Sequence, residues 1–160
     1  MLAALAAAGS AGMLAAAFAF QHLGGLAPCP MCVWQRWPHA VGLGLGLLLL
    51  VPALREVRAL RVLGALALAV GAGLALWHVG VENGWWEGPS TCAVPAREGM
   101  STDQLLDSIL AAPVVRCTDV VWEMWGLSMA GWNGIGSAAL AALWAGSAMI
   151  GRQGSSSASQ

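Results

Sequence analysis

The sequence contains no lysine and no tyrosine, only two phenylalanines, and charged residues fill just 9% of its 160 positions. Ordinary soluble domains carry about 25% charged residues. A chain this short of charge cannot cover a globular surface with polar groups, and its mean hydropathy of +0.70 points to lipid as its solvent. All seven basic residues are arginine and the net charge is -1, which argues against a general nucleic-acid surface. No glycine-rich dinucleotide fingerprint follows a strand; the run "GLGLG" at 42–46 sits inside an apolar segment and reads as packing. Val33 follows Cys32, so there is no C-x-x-C-H haem attachment.

What is present is apolar length. Four segments, at about 2–23, 33–54, 62–81 and 127–150, have roughly the 20 residues that cross a bilayer. The expected fold is all-α: a polytopic membrane protein forming a four-transmembrane-helix bundle with two periplasmic loops, at about 24–32 and 82–126. Residues 1–154 would form one integral membrane domain and 155–160 a disordered polar tail. The first segment lacks a basic flank and is long for a signal peptide, so it is expected to be a retained helix. Recurrent small residues such as Gly42, Gly44, Gly46, Gly71 and Gly73 would let helices approach closely in lipid.

Charge placement gives an orientation. Arg55, Arg58 and Arg61 lie in the short second link, with only Glu56 opposing, and Arg152 follows the last segment. The other side carries Arg36, Arg97 and Arg116 against seven acids. The positive-inside rule then makes the 55–61 link and both termini cytoplasmic. All four cysteines fall on the outer side, where disulfides persist. Eight of the tryptophans, Trp34 and Trp77 among them, gather near that outer interface as an aromatic belt.

Cys29-Pro30-Met31-Cys32 admits three readings: a structural disulfide, half of a metal site, or a redox dithiol. Cysteines three apart close a small ring that strain makes labile. Pro30 suits the first turn of a helix, which would put Cys32 near a helix N-terminus, where thiolate is favoured. Arg36 lies at i+4 from Cys32, at the edge of the hydrocarbon, where an ionisable residue is a functional candidate. Pro38 follows and would kink the helix. Only one cysteine pair is closely spaced, which disfavours zinc, so no metal is expected.

Cys92 and Cys117 bracket a more polar stretch, 82–126. Within it Leu105, Leu106, Ile109 and Leu110 have the spacing of a short amphipathic helix on the membrane, with Ser101 and Gln104 as a capping box. Alone, a Cys92–Cys117 disulfide reads as a staple; beside a strained dithiol it reads as a redox partner, because neighbouring disulfides exchange through mixed disulfides. Electrons leaving such a site at the bilayer edge need a lipid-dissolved acceptor. A quinone fits, with Arg36 as hydrogen-bond donor and His78 as a second candidate or a merely interfacial histidine.

Three stretches, "PCPMCVWQR" at 28–36, "HVGVENGWWEGPSTC" at 78–92 and "CTDVVWEMWGLSMAGWN" at 117–133, in order and separated by the four apolar segments, resemble the DsbB family of bacterial inner-membrane thiol oxidases. The resemblance covers nearly the whole chain. It implies a protein dithiol:quinone oxidoreductase that reoxidises a periplasmic DsbA-like thioredoxin-fold partner and passes electrons to ubiquinone or menaquinone. It implies that Cys29 and Cys32 are the quinone-coupled pair, with Cys32 next to the ring, Arg36 supporting it and His78 nearby. Cys92 would be the sulfur attacked by the partner and Cys117 its resolving mate. Glu82 has no counterpart that assigns it a role. The vitamin K epoxide reductase-like family, also helical and quinone-linked, places its C-x-x-C near the fourth helix, whereas here the motif precedes the second.

Overall fold

The computed structural model describes residues 1–92, 101, 103 and 115–156. The amphipathic stretch expected around 104–110 lies outside the described residues.

The elements follow in order as α1 (Leu2–His22), α2 (Pro30–Trp34), α3 (Arg36–Leu48), α4 (Arg58–Glu82), a 3-10 turn (Ser90–Cys92), β1 (Glu123–Met124), β2 (Leu127–Ser128) and α5 (Met129–Ser156). Each of α1, α4 and the Met129–Ile150 part of α5 is long and apolar enough to cross a membrane. The four principal helices close a ring: α1 packs on α3, α3 on α4, α4 on α5 and α5 back on α1.

The segment expected as one helix over about 33–54 is instead divided and ends early. Pro38 has no N–H to offer the carbonyl of Trp34, and the helix breaks between α2 and α3 at Gln35. Pro52 likewise leaves the carbonyl of Leu48 without its helical donor; α3 stops there, and turns carry the chain through 49–56. At 13 residues α3 is about 20 Å long, and α2 and the turns extend it at either end. At the other boundaries, α4 begins at Arg58, one turn earlier than expected, and α5 runs through Ser156, two residues into the expected tail.

Small residues set the helix spacing. Ala6, Ala7, Leu68, Leu140 and Trp144 form the inner core. A Cβ on Gly64 would lie 2.5 Å from the indole of Trp144, so this large side chain occupies the notch that the missing methyl leaves. Large apolar residues such as Leu5, Leu47, Leu66, Val70 and Leu76 point outward. That is the pattern of a bundle solvated by lipid tails, in which close packing rather than exclusion from water joins the helices.

At the cysteine-bearing end, β1 and β2 pair antiparallel, Glu123 with Ser128 and Met124 with Leu127. The two residues between them, Trp125 at φ 55° and Gly126 at φ 74°, make the left-handed pair that a two-residue hairpin needs. This hairpin leads directly into α5 and sets Ser128 against the end of α4.

Candidate functional site

The C-x-x-C pair sits where α2 begins. Cys29 is the N-cap, Pro30 follows as the first helical residue, and Cys29 Sγ accepts the backbone N–H of Cys32 at 3.2 Å. The two sulfurs lie 2.8 Å apart as free thiols. Cys29 is 3% exposed. Its sulfur also faces His78 Nε2 at 3.6 Å. Three donors therefore converge on Cys29: the Cys32 thiol first, then the His78 ring and the Cys32 amide. They outweigh burial and pull its thiol from 9.0 down to about 5. Cys32, hydrogen-bonded to that thiolate and itself buried, is pushed up and keeps the shared proton. In the dithiol state the charge thus sits on Cys29 rather than on Cys32, because Cys29 receives the Cys32 thiol and also faces the His78 ring and the Cys32 amide.

Cys92 and Cys117 form a disulfide across 25 residues, with Cα atoms 5.5 Å apart. Cys29, Met31, Val81 and Cys117 make one buried cluster, with Cys32 and Cys92 packed against it. The fold thus gathers all four sulfurs into one assembly, although 60 residues separate Cys32 from Cys92 in the chain.

Beneath the pair lies a cavity of about 200 Å³ between α1, α3 and the first turns of α5. Cys32, Arg36, His39 and His78 line it together with aromatic walls from Phe20, Trp122 and Trp132. Cys29 does not line it. Arg36 is anchored to α1: it donates to Gln21 Oε1 at 2.7 Å and its guanidinium lies 4.9 Å over the Phe18 ring. Its Nε is buried without a partner.

Glu82 faces the same nitrogen of His78 that Cys29 does. Its Oε1 stands 3.9 Å from His78 Nε2 and its Oε2 accepts from Ser128 Oγ at 2.5 Å. The carboxylate therefore ties the end of α4 to the hairpin. Cys29, Cys32 and His78 also bring three ligand atoms within 4.8 Å of one another, a grouping able to hold a thiophilic metal ion.

Sequence reasoning missed Gln35, His39 and Asn133. Gln35 Nε2 donates to the Met31 carbonyl at 3.3 Å and meets His78 Nδ1 at 2.8 Å, while its Oε1 accepts from Asn133 Nδ2 at 2.7 Å. Asn133 Oδ1 lies 2.9 Å from His39 Nε2, with Ser137 Oγ 3.2 Å from the same nitrogen. The signal was available: each is a polar residue inside an apolar segment, where such residues are functional candidates by default.

A buried dithiol, a disulfide packed on it, and a ring-sized cavity opening from one of the thiols define a membrane-embedded thiol–disulfide oxidoreductase. The family described as disulfide bond formation protein DsbB matches residues 1–146. The chain is similar to disulfide bond formation protein B of Marinobacter nauticus, 37% identical over 136 residues, covering 78% of this chain and 77% of the relative. It is also similar to proteins of that name from Saccharophagus degradans, 34% identical with 85% and 84% covered, and Xanthomonas campestris pv. campestris, 35% identical with 84% and 81% covered. No solved structure matches it significantly. The chain belongs to the DsbB family and is a disulfide oxidoreductase.

Proposed function

We propose that this protein takes electrons from a periplasmic thioredoxin-fold dithiol of the DsbA type and delivers them to a membrane quinone. The observation that carries the reading is the joint placement of the cysteines: two pairs in one cluster, with Cys32 alone of the four lining the cavity.

The cavity suits a quinone head group. Its walls are apolar and aromatic, its volume of about 200 Å³ accepts a substituted ring, and two lining residues carry buried polar atoms without partners, Arg36 Nε and His39 Nδ1. Buried polar atoms are rarely left unpaired unless something meets them. A quinone held there supplies the acceptor for two electrons and two protons.

The residues of the chain do the rest. A partner thiolate attacks Cys92 Sγ, the Cys92–Cys117 bond breaks, and Cys117 leaves as thiolate. Cys117 attacks Cys29 in the oxidised Cys29–Cys32 pair, freeing Cys32 towards the cavity. The second partner thiol then displaces Cys92, and Cys92 recloses on Cys117, leaving Cys29 and Cys32 as the dithiol. Arg36, fixed by Gln21 and Phe18, supplies a permanent positive charge at the cavity wall. His78, whose ring meets Cys29, holds the thiolate that the dithiol state requires. The arginines at 55, 58 and 61 mark the opposite, cytoplasmic end of the bundle, with both termini on that side in an inner membrane.

The test is purified protein in detergent with added quinone and reduced partner, followed by quinone absorbance. Quinone is reduced at the expense of partner thiols. Cys32→Ser abolishes quinone reduction yet still forms the mixed disulfide through Cys92. Quinone that stays oxidised while all four cysteines are intact refutes the reading.

A further inference from the structure

The hydrogen bonds from Cys29 inward have only one consistent direction. The Met31 carbonyl can only accept, so the end of Gln35 facing it at 3.3 Å is the NH₂ group. That group also donates to His78 Nδ1, so His78 carries its proton on Nε2, towards Cys29 and Glu82. The other end of Gln35 is its carbonyl, which must receive Asn133 Nδ2. Asn133 then presents Oδ1 to His39, and His39 must carry its proton on Nε2. No anionic group among the described residues lies within hydrogen-bond reach of His39, so the ring is neutral and its Nδ1 is a bare lone pair. That atom is buried and unpartnered, in a side chain 2% exposed that lines the cavity.

We propose that His39 is a specificity-determining residue of this cavity, its Nδ1 accepting a hydrogen bond from the ring hydroxyl of a hydroquinone. The inference rests on the quinone reading above. An acceptor-only nitrogen offers nothing to the carbonyl of an oxidised ring but does pair with the hydroxyl of a reduced one. When the Cys29–Cys32 pair becomes a disulfide, its two electrons, the one proton that Cys32 holds and a second proton taken up from water convert the quinone to a hydroquinone, and the new hydroxyl meets the waiting lone pair. His39 thereby favours the reduced ligand and pulls the exchange forward, while the Asn133–Gln35–His78 chain holds both histidines in the tautomers that the two ends of the site require.

The experiment titrates a short-chain quinone and its hydroquinone separately by tryptophan fluorescence. It uses Cys32→Ser protein, in which neither ligand reacts, with residue 39 as His or Gln. In His39→Gln an amide N–H can keep the bond to Asn133, but no atom stands at the Nδ1 position. The substitution is expected to weaken hydroquinone binding by roughly three- to tenfold, one neutral hydrogen bond, and to leave quinone binding within about twofold. In nitrogen-labelled protein with His39 intact, Nδ1 starts as a bare nitrogen and its resonance shifts on adding hydroquinone but not quinone. Equal effects on both ligands, no effect on hydroquinone, or a resonance that starts protonated overturns the role of His39 alone. Protein with His39 intact that binds neither ligand overturns the quinone reading itself. A His39→Gln protein that fails to fold leaves the resonance of the native histidine to decide.

Discussion

Replacing Gln35 with leucine is the sharpest probe of the buried network. Gln35 is 5% exposed and links three elements: the Met31 carbonyl, His78 on α4 and Asn133 on α5. Leucine keeps most of the volume and removes both amide ends. The Met31 carbonyl retains its backbone donor, Gln35 N–H at 3.1 Å, which leucine preserves. The losses are therefore two interhelical hydrogen bonds. In lipid such bonds average about 0.6 kcal/mol each and reach about 1.7, so stability falls by roughly 1–3 kcal/mol. The second effect is chemical. Without the Gln35 donor, nothing fixes the His78 proton on Nε2, and Cys29 loses part of one hydrogen bond to its thiolate. One pKa unit corresponds to about 1.4 kcal/mol, and a single charge-assisted bond at this long distance is worth about that, so the Cys29 thiol rises by roughly one unit from about 5. The assay is the pH dependence of alkylation of protein whose Cys92–Cys117 disulfide is intact, so that only Cys29 and Cys32 react, alongside thermal unfolding in detergent. An alkylation midpoint that stays in place while the protein loses stability would show that Gln35 is only a strut. The reasoning about the His78 tautomer would then be wrong.

Two further outcomes follow from the same geometry. Stability of the dithiol form should rise with pH between about 5 and 9, by up to about 1.4 kcal/mol per unit, because the folded pair has released one proton there and the unfolded pair none. It should decline above about 9, where the unfolded chain gives up both protons while Cys32 keeps its own. Unfolding midpoints across that range check the sign, and the profile should flatten in Cys29→Ser. Gly64→Ala would force a methyl to within 2.5 Å of the Trp144 indole, deep in the bundle; overpacking of this kind costs about 1–3 kcal/mol, read as a lower unfolding midpoint without loss of the Cys92–Cys117 disulfide.

Much of the site was legible in one dimension. Cys29 and Cys32 are separated by the spacing of a redox motif, and proline at 30 announced the helix start that makes Cys29 an N-cap. Arg36 stood out as a fixed charge at the end of an apolar run. Composition alone demanded lipid, because 9% charge cannot clothe a globule. The two prolines, 38 and 52, were visible too, and they explain why the second helix is split and short; hydropathy averages over a window and does not register a missing N–H.

The sequence by itself determined the solvent, the helical class and the reactive residue types, since these depend on composition and local spacing. Only the tertiary structure decided which thiol bears the charge, that Arg36 is anchored on α1, and that Gln35, His39 and Asn133 join into one directed chain. Each of those depends on pairing across more than 40 residues or between separate helices. A hydrogen bond's direction is set by a partner's chemistry, and no window along the chain contains that partner.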